Sequence, residues 1–335
     1  MAKAATYNTS GNRESIKAAT YNTSGNREDL SDAISLLEPE ATPLTSLAKK
    51  ETATGTFVEF QADRLGSPDI SGVNEGEDVT SFEDKAANRA KLGNYVQVFR
   101  RSYMVSNIQQ LVSTAGVPSE TARSISHCVR EIKRDFETAI CSTQDRQQDQ
   151  GAGSPYLTRG MMKWLGNGGQ PADVPVDYQC VATDATTPIT ETLFNGVLQD
   201  LYEANGMPGG QLTLIAGATV KKDISEFSRT SAATGLTYHV TQPAESKKIT
   251  MSVNVYEGDF GYVNVIPSVW VGRAAATPGT AVPTSALLVD PEYVSIHTLS
   301  AESRSELENQ GGGQRGYCEM IAALTCTPKA HGYLT

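Results

Sequence analysis

No apolar run in this 335-residue sequence approaches the ~20 residues needed to cross a bilayer, so no helical membrane span is expected. No apolar h-region follows the first charges of the N-terminus, which predicts that a secretory leader is absent. An excess of cations is also missing: 28 Lys and Arg stand against 38 Asp and Glu, for a net charge of −10. A duplex-DNA reader releases counterions through a basic stripe, and an acidic chain argues against that role. Histidine is scarce, and His127, His239, His297 and His331 fall in no metal-ligand spacing, so no metal is expected. The five cysteines, Cys128, Cys141, Cys180, Cys318 and Cys326, are odd in number and form no C-x-x-C. They predict reduced thiols packed as small hydrophobes in a cytosolic compartment.

The common catalytic motifs are absent as well. There is no G-x-x-x-x-G-K-[ST] phosphate loop and no G-x-S-x-G elbow. The clusters GAGSP, GNGGQ and GGGQRG follow no buried strand and open no helix, so they read as loops. QLTLIAGATV has a strand–Gly–helix order but lacks an acidic partner for a ribose. No catalytic residue and no cofactor is nominated. An enzyme reading would have to use Tyr156, Arg159 and Asp173 in the loop-rich stretch 145–190.

What is present begins with a repeat. KAATYNTSGNRE occurs at Lys3–Glu14 and again, letter for letter, at Lys17–Glu28. Residues 1–30 are polar and cannot build a core of their own. Asp29 or Ser31 then caps a short helix carrying Ile34, Leu36 and Leu37, which Pro39 and Pro43 bring to an end.

Alternating aromatic and β-branched residues predict strands over TATGTFVEFQADRL and KLGNYVQVFRRSYMVS (91–106). Between them lies the tip, 66–85, with Asp69, Glu75, Glu77, Asp78, Glu83 and Asp84 against the single cation Lys85. The whole reads as an extended β-hairpin, with arms of ~11 residues projecting ~35 Å. A lone two-stranded ribbon is marginal in water, so it is expected to lie on another surface. The acidic tip lacks the D-x-[DN]-x-[DN]-G calcium loop. It is either a solvated charge run or a docking element for basic residues of another subunit, such as Arg123, Arg130, Lys133 and Arg134.

The clearest helix is PSETARSISHCVREIKRDFETAICSTQ, 118–144, with Pro118 in the first turn and Ser119 as N-cap. Ile125, Val129, Ile132, Phe136 and Ile140 form one apolar stripe, and the four cations lie off it. At ~1.5 Å per residue the helix would be a ~40 Å beam. A second helix is expected at 190–206, with Leu193, Val197, Leu198 and Leu201 inward and an Asn205-Gly206 stop. QLTLIAG reads as a buried strand and ATVKKDISEF as a helix. A hairpin over 247–271 turns at Glu257–Gly261. ALLVDPEYVSIHTL and GYCEMIAALTCTP read as late strands separated by polar SAESRSELENQGGGQ. Outer pieces flanking an inserted middle predict an α+β class with mixed sheets.

Six stretches, in order, resemble the major capsid proteins of tailed bacteriophages, whose fold is named for the Hong Kong phage. The likeness is closest to the short-tailed-phage major head protein family. TYNTSGNREDLSDAISLLEPEATPLTSLAKK is similar to that family's arm, and GNYVQVFRRSYMVS to its returning strand. REIKRDFETAI is similar to its long helix, RGMMKWL to the segment after it, and VYEGDFGYVNVIPS and LLVDPEYVSIHTL to its late hairpin and strand. KAHGYLT resembles the common ending.

The resemblance implies four parts: an N-terminal arm (1–50), an extended loop (51–105), a peripheral domain (106–180 and 290–335) with spine helix 118–144, and an axial domain (181–289). It implies self-assembly into hexamers and pentamers of an icosahedral head. Portal, scaffolding and decoration proteins would be partners, and packaged double-stranded DNA would be touched only nonspecifically. The chain would then reside in the virion, after assembly in the host cytoplasm. A nonviral nanocompartment shell of the same fold is the alternative. Only the second copy of the 12-mer continues as the family's single copy does; the first has no counterpart. It is expected to run over a neighbouring subunit, against the alternative of a neutral duplication.

Overall fold

A computed structural model describes residues 41–112, 117–151, 153–184, 188–205, 211–227, 253–271 and 284–335. The duplicated 12-mer, the helix expected around Ile34, Leu36 and Leu37, His239, the start of the 247–271 hairpin and Gly206 lie outside these residues.

The long helix, α3, runs Glu120–Ile140, and α1 (Pro43–Leu47) and α2 (Asn107–Leu111) precede it. Ser119 caps α3, its Oγ accepting the Ala122 N–H at 3.3 Å. Pro118 stands just outside the helix rather than in its first turn. Ile132, Phe136 and Ile140 are fully buried, and Ile125 and Val129 pack half-buried on the same core. The 21 residues give ~31 Å, shorter than the ~40 Å expected. The end is set by Ser142, whose Oγ donates to the Ala139 carbonyl at 2.7 Å and accepts the Gln144 N–H at 3.1 Å.

The helix lies on a four-stranded sheet. Its order is β1 (Lys49–Thr52), β10 (Val294–Leu307), β11 (Gln314–Cys326) and β4 (Gln97–Val105). Cys318, Met320 and Ala322 alternate inward along β11, joined by Phe99 and Tyr103 of β4. The rings of Phe99 and Phe136 meet edge to face at 5.4 Å. The polar run 300–307, expected as a linker, extends β10 instead. One face of this sheet is solvated, so polar residues are tolerated there, and Arg304 Nε donates to the Tyr103 hydroxyl at 2.9 Å.

A six-stranded sheet follows the order β5 (Ala182–Asp184), β12 (Gly332–Leu334), β9 (Ala286–Val289), β6 (Gln211–Ala216), β8 (Gly261–Pro267) and β7 (Val255–Gly258). The C-terminal strand, read with 290–335 from sequence, therefore pairs with strands of the inserted middle. Helix α5 (Glu191–Asn205) buries Phe194, Val197, Leu198 and Leu201. Phe194 takes the inward place expected for Leu193, meeting Tyr256 edge to face at 5.1 Å. Helix α6 (Ala218–Phe227) follows β6, as expected. ALLVDPEYVSIHTL is two strands rather than one. Asp290 Oδ1 caps a 3-10 turn at Pro291–Tyr293, and the chain passes there from one sheet into the other.

The ribbon consists of β2 (Phe57–Ala62) and β3 (Ala90–Tyr95), six pairs in register from Phe57↔Tyr95 to Ala62↔Ala90. It spans ~20 Å rather than ~35 Å, because residues 97–105 belong to the four-stranded sheet. Val96 marks the break. Its side chain is buried with Ala53, Val58 and Ala323, and its N–H donates to the Thr56 carbonyl at 3.0 Å.

Candidate functional site

Three features stand out: the root of the arm, the ribbon, and the outer side of α3. The arm enters the described fold at Ala41, whose carbonyl accepts Trp270 Nε1–H at 2.7 Å. Glu137, buried on α3, then accepts the Leu44 N–H at 2.8 Å, the Thr45 N–H at 2.9 Å and the Thr45 hydroxyl at 2.5 Å. The first-turn amides of α1 are thus capped by a carboxylate from another helix. Burial raises the Glu137 pKa, and those three bonds oppose the rise. A cleft of about 580 Å³ opens beside this clamp, lined by Thr45, Lys50, Lys133, Phe136, Glu302 and Met320, among others.

The ribbon is rooted by Asn94. Its Nδ2 donates to Thr158 Oγ1 (3.0 Å) and to the carbonyls of Arg159 (3.2 Å) and Leu324 (2.6 Å). Its Oδ1 accepts the N–H groups of Tyr95 (2.9 Å) and Arg159 (2.8 Å). A buried amide satisfied at both ends fixes the ribbon on the core.

The tip residues Asp69, Glu75, Glu77 and Asp78 are exposed, as a docking element requires. Asp69 accepts from the Ser71 hydroxyl and backbone, which lowers its pKa. Sequence reasoning missed the tip's apolar side chains. Ile70, Val73, Val79 and Phe82, with Leu65 just before the tip, are between 71% and 102% exposed. Their signal was five large hydrophobes interleaved with the acids, but they follow neither a period of 2 nor of 3.6.

On α3, Arg123 pairs with Glu120 at 3.9 Å and Lys133 with Glu302 at 3.4 Å. Arg134 lies over the Trp270 ring at 5.4 Å, and Arg130 is exposed. The proposed receptor cations are thus strung along one helix, and at least two are neutralised by their own chain.

Tyr156, Arg159 and Asp173 form no reactive constellation. Arg159 is 2% exposed, bonded to Asp145 at 2.7 Å and to both oxygens of Asp173 at 2.6 and 3.0 Å, and it covers Trp164 at 4.5 Å. Burial would raise the Asp173 pKa, but the bonds and charge of Arg159 outweigh it and lower it. Tyr156 packs on Tyr95 with the two rings tilted and their centroids 5.7 Å apart. The trio pins the 145–173 loop around α4 (Met161–Trp164), which is buried at Met161, Met162 and Trp164.

His331 is fully buried. Its Nδ1 accepts the Asp290 N–H at 3.1 Å and its Nε2 lies 3.4 Å from the Tyr293 carbonyl, an arrangement that suits the neutral ring protonated at Nε2. His297 sits beside Glu51 at 3.6 Å. All five cysteines are free and buried. Among the described residues no group of three His, Cys, Asp or Glu is placed to hold a metal, and no helix is long and apolar enough to cross a membrane.

Residues 16–335 match the family described as SU10 major capsid protein. The chain belongs to that family. The match begins one residue before the second 12-mer, so the first copy lies outside the family's extent. A curated relative, the major capsid protein of Escherichia phage Phieco32, is 30% identical over 114 residues, 34% of this chain. That stretch spans 32%, about a third, of the relative's length.

Solved capsid structures share the fold of this family member across most of its length. The cyanophage A-1(L) capsid subunit aligns with TM-score 0.60 at 8% identity, covering 92% of this chain and 96% of its own. Gordonia phage Cozz gives 0.58 at 14%, covering 92% and 91%. The capsid of the native GTA particle gives 0.58 at 12%, covering 95% and 97%. The α+β class and the Hong Kong phage-type capsid fold are thus established for this family member.

Proposed function

We propose that this chain is the shell-forming subunit of a tailed-phage head, assembling into hexamers and pentamers around double-stranded DNA without catalysing a reaction. The observation that carries this is family membership over nearly the whole chain. The apolar, exposed ribbon tip supports it physically, because Leu65, Ile70, Val73, Val79 and Phe82 stay uncovered in a single subunit.

The parts divide as arm 1–50, extended loop 51–96, peripheral domain 97–180 and 290–331, and axial domain 181–289 with the C-terminal strand β12. Each ribbon tip overlaps a neighbour. Leu65, Ile70 and Phe82 supply affinity there. Asp69, Glu75, Glu77 and Asp78 supply orientation toward Arg123, Arg130, Lys133 and Arg134. Exposed ion pairs are worth only ~0–1 kcal/mol each. Since Arg123 and Lys133 already have partners, the apolar share dominates. Many weak contacts suffice, because once a subunit is docked its further contacts become intramolecular. Portal, scaffolding and decoration proteins are the expected partners, assembly takes place in the host cytoplasm, and the acidic shell touches packaged DNA sparsely.

Electron micrographs of the purified chain should show closed shells of uniform diameter. A monomer by light scattering under all assembly conditions would overturn the proposal. Shells formed in the producing cell without nucleic acid, but with a bound cargo peptide, would favour the nanocompartment alternative.

A further inference from the structure

The cleft of about 580 Å³ beside the Glu137 clamp has an apolar floor and a charged rim. Phe136, Ile296 and Met320 line it and are buried. Lys50, Lys133 and Glu302 line it and are exposed. Lys133 pairs with Glu302 at 3.4 Å. Lys50 forms no ion pair among the described residues, so the rim is left with one cation in excess. Thr42 lines the same cleft, one residue after the first that the structure describes. The arm therefore enters the fold at the lip of this space.

The residues just upstream complement it in two ways. The stretch 28–40, EDLSDAISLLEPE, carries five acids and no Lys or Arg. At helical spacing Leu30, Ala33, Ile34 and Leu37 fall on one apolar stripe, with Asp29 and Glu38 at its sides. A helix of about ten residues is marginal in water without a surface to pack on. Only Glu38, Pro39 and Glu40 stand between Leu37 and Ala41, so Leu37 lies within ~14 Å of the start of the described fold.

We propose that residues 29–38 dock as an amphipathic helix in the cleft of their own chain. The apolar stripe covers Phe136, Ile296 and Met320, and the flanking acids face Lys50. The tether selects the chain's own arm over a neighbour's. A segment joined to the lip by a few residues is present there at a local concentration on the order of millimolar. The contact closes within one subunit, so it stands whether or not the chain builds shells. Together with the Glu137 clamp, it would fix the point from which the polar leader departs.

Hydrogen exchange of the full-length subunit tests this, at a dilution where light scattering shows a monomer. Amides of residues 30–38 should exchange at least about tenfold more slowly than those of 5–14. Ala301→Trp fills the cleft from an exposed lining position, and Lys50→Glu reverses the unpaired cation. Each should remove most of that protection, and Glu38→Lys/Glu40→Lys should restore it in the Lys50→Glu background. If Ala301→Trp fails to fold, Lys50→Glu and its rescue decide. Equal exchange of the two stretches in the unmodified monomer would overturn the proposal. So would protection that survives in both variants, since the helix would then lie elsewhere. Protection that appears only at concentrations where subunits associate would also overturn it, because the cleft of a second copy would then be the one filled.

Discussion

The Glu137 carboxylate holds the amides of Leu44 and Thr45, 93 and 92 residues earlier in the chain, at 2.8 and 2.9 Å. A single acidic side chain in the last turn of α3 therefore decides where the arm leaves the body. Leu44 is fully buried beside it.

Glu137→Ala should destabilise the unassembled subunit by about 3 kcal/mol, since it orphans two buried or half-buried amides. Glu137→Gln keeps one acceptor oxygen and should cost about 1 kcal/mol. Urea unfolding of the two variants checks the order. Equal losses would mean that the clamp acts through packing rather than hydrogen bonding.

Acid should weaken the fold through His331. Burial lowers its pKa from 6.5 to about 4, against a weaker opposing bond to the Tyr293 carbonyl. Between those values the unfolded chain binds the proton and the folded chain does not. The contribution is therefore fully present above pH 6.5 and is lost as pH falls toward 4, about 3 kcal/mol in all. The stability gap between wild type and His331→Gln, measured at pH 7 and pH 4.5, should shrink at the lower pH.

Arg159→Ala should cost about 3–5 kcal/mol, because Asp173 and Asp145 lose a buried partner and Trp164 loses its cover. Arg159→Lys should recover only part of this, since an ammonium cannot span both carboxylates in the guanidinium's planar fork. Thermal unfolding of the subunit measures both.

The two halves of the ribbon tip should separate experimentally. Ile70→Ser/Phe82→Ser should lower the melting temperature of shells while leaving the subunit's urea midpoint unchanged, because neither side chain is buried in the subunit. Glu75→Ala/Glu77→Ala/Asp78→Ala should slow assembly at low salt and change shell stability little. Calorimetry of shells and light-scattering kinetics distinguish the two effects. Shells of the triple variant assembling at wild-type rate and yield would remove the acids from the contact.

Much of this architecture was legible in the sequence where one physical cause acted locally. Ser119 announced the start of α3, and the 4-3-4-4 spacing of its apolar residues announced its buried face. What was hidden depended on distant partners. Nothing near Val96 shows that β4 leaves the ribbon, since that follows from pairing with β11 more than 200 residues later. The strand over 300–307 looked like a linker because its outward face meets water and its support comes from Tyr103. Arg159 and Asp173 looked like loose polar residues because only the folded loop brings them to 2.6 Å. At the tip, counting acids drew attention away from Leu65, Ile70 and Phe82, whose exposure no periodicity predicts.

The enclosed thiols make the subunit its own stopwatch. Each of the five sulfurs is shut inside the fold, and burial pushes the Cys180 thiol up to about 12. A soluble alkylating reagent finds no target on the closed molecule, so every label it leaves records an excursion of the chain. Cys180 and Cys326 would time openings between the two sheets, and Cys128 and Cys318 the lifting of the long helix from its strands. Comparing those clocks before and after subunits join would show which motions a neighbour silences.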